Sequence, residues 1–259
     1  MRMLLQAFPM FTVLTGAALA LAALVSPGTA QTIGERVAAV RDGQVRMSFT
    51  AREGVCGDGR NISTRRHSDD WEWWCEPGPV RVAIDVAGGD IEDIDTYVGG
   101  RWRGGRDVTD LGFVPAPDAA AYFLSLAATL DRHAGEDAIL AATLADSAVV
   151  WPELLVIAKN EDRPRSIRKS AVFWLAQAAG EAAAEGLEEI VDDDDEDREV
   201  RKGAVFALSQ MNDDVGVTAL IRIARSHLDP EIRRNAIFWL GQSGDPRAIA
   251  LFEELLTRP

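Results

Sequence analysis

The sequence predicts a mainly α fold, a stack of helix pairs preceded by a small β-rich unit clipped by a disulfide. Three observations carry this. The heptapeptide AVFWLAQ at 171–177 returns as AVFALSQ at 204–210 and as AIFWLGQ at 236–242, at intervals of 33 and then 32 residues. A fixed period in that range marks a stacked repeat architecture. Apolar residues between 45 and 86 instead recur with period two, the mark of half-buried strands. The only two cysteines, Cys56 and Cys75, lie close together within that β-patterned stretch.

Residues 1–30 predict a secretory signal peptide. Arg2 gives a basic start and FTVLTGAALALAALV at 11–25 an apolar core too short to span a membrane comfortably. Pro27 and Gly28 break it, and Gly28-Thr29-Ala30 offers small residues for cleavage after Ala30. Without a cysteine at that point a lipid anchor has no attachment, and no transmembrane span is expected after cleavage. The reading places the protein outside the cytoplasm, periplasmic or extracellular.

Arg2 is the only charge in that leader, so the remainder is one unit more negative than the full chain's −14. That sign repels phosphate backbones and anionic membrane surfaces, so nucleic acid is not an expected partner. In an oxidising compartment an isolated cysteine pair at this spacing reads as one disulfide rather than a metal site.

Residues 31–115 form the β-rich unit in this reading. Thr32 and Glu35 have the spacing of a capping box for a short helix reaching about Arg41. Val45, Met47, Phe49 and Ala51 then alternate with polar residues, as do Val80, Val82, Ile84 and Val86. Glycine-rich breaks separate these runs, which predicts a small antiparallel sheet.

Residues 116–259 are helical and alanine-rich. AAYFLSLAATL and DAILAATLAD are apolar over wide faces, and WPELLVIAKN at 151–160 opens the periodic region. Leu154, Leu187 and Leu220, 33 apart, sit in the helices that precede each heptapeptide, so each unit holds a first helix, a turn and a second helix. Gly180, Asn212 and Gly244 follow the heptapeptides as residues tolerant of a left-handed cap. Asp229-Pro230 reads as a cap followed by proline at the first helical position. A last helix at 246–256 closes the stack.

The segments SIRKSAVFWLAQ, EVRKGAVFALSQ and EIRRNAIFWLGQ resemble HEAT or HEAT-like repeats. The shared frame is Ile167/Arg168/Ala171/Leu175, Val200/Arg201/Ala204/Leu208 and Ile232/Arg233/Ala236/Leu240. The resemblance covers 151–256 closely and 117–150 loosely, and does not reach the β-rich unit. It implies a right-handed α-solenoid that binds other molecules along a concave face lined by the second helices. Asp197 and Asp229 fill the family's turn-aspartate position, whereas the first copy has Pro164 there.

At about 100° per residue, Ile167, Ala171, Trp174 and Leu175 share one side of the second helix, facing its partner helix. Lys169, Phe173 and Gln177 fall on the opposite side, with Lys202, Phe206, Gln210 and Arg234, Phe238, Gln242 in the next copies. Stacking turns these into rows of a basic residue, a phenylalanine and a glutamine. Two readings stand: a surface that binds a polypeptide, or phenylalanines tucked between neighbouring helices.

Enzymatic chemistry finds no support. His67, His133 and His227 are scattered, and Gly241-Gln242-Ser243-Gly244 lacks the glycine pattern of a nucleophile elbow. No cofactor motif is present. The acidic run DDDDEDRE at 192–199 lacks the ligand spacing of an EF-hand loop and falls at an inter-helix turn, which predicts a solvated acidic turn. A different class of function rests on Trp71, Trp73, Trp74 and Trp102, beside Asp69 and Asp70, which could stack on glycans or serve as the core of the β-rich unit. The expected function is a non-enzymatic protein-binding adaptor of the cell envelope. Glycan or envelope-surface binding through the tryptophans is the alternative.

Overall fold

A computed structural model describes residues 31–64, 75–177, 181–211 and 213–257. Residues from 32 to 259 make one compact unit. The expected signal peptide, Trp71, Trp73, Trp74, Asp69, Asp70, His67, and the stops expected at Gly180 and Asn212 lie outside the described residues.

The chain enters through α1 (Ile33–Ala38), whose capping box is complete: Glu35 N–H donates to Thr32 Oγ1 at 3.2 Å and Thr32 N–H to Glu35 Oε2 at 2.8 Å. It continues into β1 (Gly43–Phe49), the short β2 (Cys56–Gly57), β3 (Ile62–Ser63) and β4 (Glu76–Pro77), then β5 (Val80–Ala87), β6 (Asp90–Val98) and β7 (Val108–Phe113). The main sheet has the order β6-β5-β1-β7, and β3-β2-β4 forms a second, smaller sheet. Cys56 and Cys75 are joined by a disulfide that closes the segment between them.

The expected antiparallel sheet needs one correction. β1 pairs antiparallel with β5, and β5 with β6, but β7 lies parallel to β1. β6 already runs parallel to β1 through two reversals. Residues 99–107 then carry the chain from one edge of the sheet to the other, and β7 enters in the direction of β6. Gly99 makes the departure possible: its φ is +70°, and a Cβ there would sit 2.3 Å from the Gly57 carbonyl oxygen.

Helices follow from residue 116: α2 (Ala116–Ala127), α3 (Arg132–Thr143), α4 (Trp151–Lys159), α5 (Arg165–Leu175), α6 (Glu181–Asp192), α7 (Arg198–Ser209), α8 (Asp213–Ser226), α9 (Pro230–Ser243) and α10 (Pro246–Thr257). α4 packs on α5, α6 on α7 and α8 on α9 as successive pairs. Between pairs, α5 packs on α7 and α7 on α9, while α4 packs on α6 and α6 on α8. The period is visible in burial: Leu154, Leu187 and Leu220 are buried, as are Ile167, Val200 and Ile232, and Ala171, Ala204 and Ala236. Alanine at that point lets the helices approach closely, and a larger side chain would force them apart.

The sheet and the helices share one continuous hydrophobic cluster from Ile33 to Leu251. Phe49 of β1 meets Phe123 of α2 at 6.2 Å between ring centroids, both fully buried. α3 packs across β6. Beyond β1 the backbone pairs again, Ala51 bridging Ala145, with Arg52 N–H donating to the Leu144 carbonyl at 2.8 Å. Among the described residues no helix is long and apolar enough to cross a membrane.

Candidate functional site

The second helices of the three pairs, α5, α7 and α9, are aimed by the arginine of the repeated frame. Arg168 is buried, donating from Nε to the Ala158 carbonyl at the end of α4 (3.2 Å) and from Nη2 to Glu196. Arg201 repeats this, donating to the Val191 carbonyl of α6 at 3.0 Å and to Asp194 at 3.1 Å, with His227 Nε2 at 3.3 Å. Arg233 donates to the carbonyls of His227 and of Leu228, the latter at 2.9 Å. Each guanidinium thus satisfies backbone carbonyls at or just past the C-terminal end of a first helix, groups that the helix itself leaves unpaired. Arg163 does the same for α2, donating to the Ala127 and Leu130 carbonyls.

The acidic run lies at the inter-helix turn with Asp192, Asp193, Asp194 and Asp195 exposed to solvent, and part of it also takes up ion pairs. Asp192 pairs with Arg222, Asp194 with Arg201, and Glu196 with Arg168, in a pair whose side chains are only 3% and 7% exposed. Asp197 caps α7 by accepting from the Glu199 and Val200 amides, and pairs with Arg165. Partial burial acts to raise its pKa, but the Glu199 amide and Arg165 outweigh that and hold the carboxyl below its ordinary range. Asp229 caps α9 through the Glu231 amide at 2.7 Å, and Gly244 closes that helix at φ +67°. Pro164 takes the corresponding place before α5 with no side-chain cap. No three carboxylates, histidines or cysteines converge on a point that would hold a metal ion, among the described residues.

With the inner faces fixed, the opposite faces of α5, α7 and α9 display the rows. Lys169, Phe173 and Gln177 are exposed, and so are Arg234, Phe238 and Gln242. Phe173 is 43% and Phe238 55% exposed, which is high for phenylalanine in a folded chain. The middle copy differs. Phe206 is half-buried with its ring 4.8 Å from Trp239, and Lys202 lies 3.4 Å from both Glu199 and Glu231, while Gln210 remains exposed. The phenylalanine row therefore divides by copy: the outer two rings are exposed, and the middle one tucks sideways.

Trp174 departs from its expected place facing the partner helix. It is half-exposed and packs edge-on against Phe173 at 5.3 Å, and Trp239 does the same against Phe238 at 5.0 Å. Ala207, in the same position of the middle copy, is buried. An indole is too large for the space that this alanine fills, so it swings to the rim and widens the aromatic surface. Of the tryptophans assigned to glycan binding only Trp102 lies among the described residues. It is half-buried, edge-on to Tyr97 at 6.3 Å, with the Arg46 guanidinium 5.1 Å over its ring.

Sequence reasoning missed one feature altogether. A cavity of about 310 Å³ lies where the 50–52 and 144–151 segments meet α5, its walls including Arg52, Thr143, Val149, Trp151, Trp174 and Gln177. Arg52 carries no motif and falls in a turn, so no period or spacing points to it.

Residues 193–259 match the family model of HEAT repeats, and with the helical C-terminal region this supports a HEAT-like repeat protein. No curated protein matches the chain.

Proposed function

We propose that this protein is an exported, non-enzymatic interaction module of the cell envelope, built as a right-handed α-solenoid that docks a polypeptide on the face formed by α5, α7 and α9. The observation that carries the reading is the pair of exposed phenylalanines, Phe173 and Phe238, each one helical turn from a basic residue, Lys169 or Arg234. Among the described residues neither basic group has an ion-pair partner, in a chain of net charge −14. Apolar rings beside free cations fit a partner segment that offers apolar and acidic side chains together. HEAT repeats are generally protein-interaction scaffolds, which supports a binding module in the matched part of the chain. The leader-like residues 1–30 and the Cys56–Cys75 disulfide support export.

The test is capture from envelope extract by the purified chain, beside a Phe173→Ala/Phe238→Ala variant and a Lys169→Glu/Arg234→Glu variant. These four side chains are exposed, so both variants should melt near the wild type. One polypeptide held by the wild type and lost by both variants is the expected result. Equal capture by all three would sink the assignment of this face.

A further inference from the structure

The cavity beside Arg52 holds an electrostatic mismatch that the fold does not explain. Arg52 Nε and Nη2 are buried, and neither has a hydrogen-bond partner. The other arginines described above as buried or half-buried meet carbonyls or a carboxylate; Arg163 also has a buried Nε without a partner, but it donates to carbonyls from both of its other nitrogens. Burial without compensation also lowers the pKa of this guanidinium from its ordinary value. An unpaired buried donor of this strength costs stability, and turning the guanidinium toward an anionic ligand in the cavity would relieve that cost.

The surroundings specify what that ligand would be. Trp151 from the start of α4 and Trp174 from α5 line the same cavity, with Val149 and Val150 adding aliphatic wall. Thr143 lies in the wall with its hydroxyl donating to the Leu140 carbonyl at 2.8 Å, so the hydroxyl oxygen remains an acceptor. The site thus offers one forked cation and two indole surfaces within a volume that suits a single aromatic or branched aliphatic group. Nε and Nη2 have no surface open to the cavity in this conformation, so a carboxylate pairs with this planar guanidinium once Arg52 turns toward it, and the indoles match an apolar body attached to that carboxylate.

We propose that this cavity binds the carboxylate of an apolar acid, with the carboxylate against Arg52 and the apolar group against Trp151 and Trp174. This site is separate from the reading of the α5, α7 and α9 face, and it stands if that reading fails. The same chemistry has two sources, a free small acid or the C-terminal residue of a polypeptide, and the assay separates them.

The purified full chain is titrated by calorimetry with phenylacetate, phenylacetamide, and acetyl-Gly-Gly-Phe with a free or an amidated C-terminus. Phenylacetate should bind saturably and phenylacetamide at least about tenfold more weakly, since only the acid completes the charge-assisted pair. Tighter binding of the free-acid peptide than of phenylacetate assigns the site to a C-terminus. Binding of phenylacetate with exclusion of the peptide assigns it to a small acid. Arg52→Met should abolish the preference for acid over amide while raising the melting temperature, because it removes an unpaired buried charge. Equal affinity for acid and amide in the wild type, or no saturable binding of any of the acids, overturns the proposal, and neither result depends on a variant folding.

Discussion

Glu196→Ala is the perturbation that most directly tests how the repeats are held. The Glu196 carboxylate lies under the 193–197 turn with 3% of its side chain exposed, against an Arg168 side chain that is 7% exposed. The same carboxylate oxygen accepts from the Asp197 amide at 2.5 Å. Truncation would leave the guanidinium with only the Ala158 carbonyl and would orphan the Asp197 N–H. Removing one member of a buried pair costs about 3–5 kcal/mol, because the remaining charge stays desolvated. Glu196→Gln keeps an acceptor for both donors and loses only charge, so about 1.5–3 kcal/mol is expected.

The second copy supplies an internal control. Arg201 sits in the same frame, but its nearer carboxylate, Asp194 at 3.1 Å, has a side chain that is 71% exposed, and Asp229 at 3.9 Å remains beside it when Asp194 is removed. Asp194→Ala should therefore cost no more than about 1 kcal/mol, since water replaces the lost carboxylate. Urea unfolding followed by tryptophan fluorescence measures both, with Arg168→Met and the double variant completing a cycle. The double variant should be more stable than the summed single losses by at least about 1 kcal/mol. Equal costs at Glu196 and Asp194, or an additive cycle, would refute the claim that burial of the pair distinguishes the first turn from the second.

Asp137 on α3 has its pKa pushed up to about 6, by burial first and by the Asp93 carboxylate next. The folded state then holds more protons than the unfolded state between about pH 4 and 6, so stability falls as pH rises through that window. The full effect is at most about 3 kcal/mol, and screening of a half-buried group reduces it to roughly 1–2. Asp137→Asn should stabilise at pH 7 and leave stability at pH 3.5 unchanged, as read from melting curves at the two pH values. Reduction of Cys56–Cys75, 19 residues apart, should cost about 3 kcal/mol, checked by urea midpoints with and without dithiothreitol. A Cβ at Gly216 would lie 2.2 Å from the Leu208 carbonyl oxygen, whereas one at Gly241 meets nothing within 4 Å. Gly216→Ala should lose about 1–3 kcal/mol, and Gly241→Ala in the exposed last turn of α9 should gain up to about 1; matching melting temperatures for the pair would contradict this.

The helical part was legible because its signals are local and repeated. Period-three-to-four burial, the Asp229 cap and the Gly244 stop all act within a few residues, and three copies reinforce each other. β6 was harder to read. Asp90, Glu92, Asp93 and Asp95 give it an acidic texture, and it is a strand because β5 and α3 supply partners distant in sequence. The parallel pairing of β7 depends on a crossover that no local pattern encodes. The candidate face was legible as a set of positions, since i, i+4 and i+8 share a helix face in any copy. What the sequence could not separate was Phe206 from Phe173 and Phe238. The heptapeptides are nearly identical, and the difference comes from Trp239 on the next helix. The Arg frame was legible as a pattern, but its task of satisfying C-terminal carbonyls appears only when the helix pair is assembled.

The difference among the three copies has a consequence for the partner. Phe206 is covered by Trp239 and Lys202 is engaged by Glu199 and Glu231, so the middle helix offers little to a ligand beyond Gln210. If the proposed face binds a polypeptide, its apolar anchors are Phe173 and Phe238, with α7 lying between. Two inter-helix spacings of about 8–10 Å each put these anchors roughly 16–20 Å apart. An extended chain rises about 3.3 Å per residue, so apolar side chains five or six residues apart match that span. Lys169 and Arg234 lie one turn from the anchors and favour acidic residues beside each apolar group. A peptide array that varies the distance between two leucines in an acidic background should peak at a separation of five or six. The peak should vanish with the Phe173→Ala/Phe238→Ala variant. A peak at two or three residues would mean that adjacent helices do the binding, and then Phe206 would have to leave Trp239 to take part.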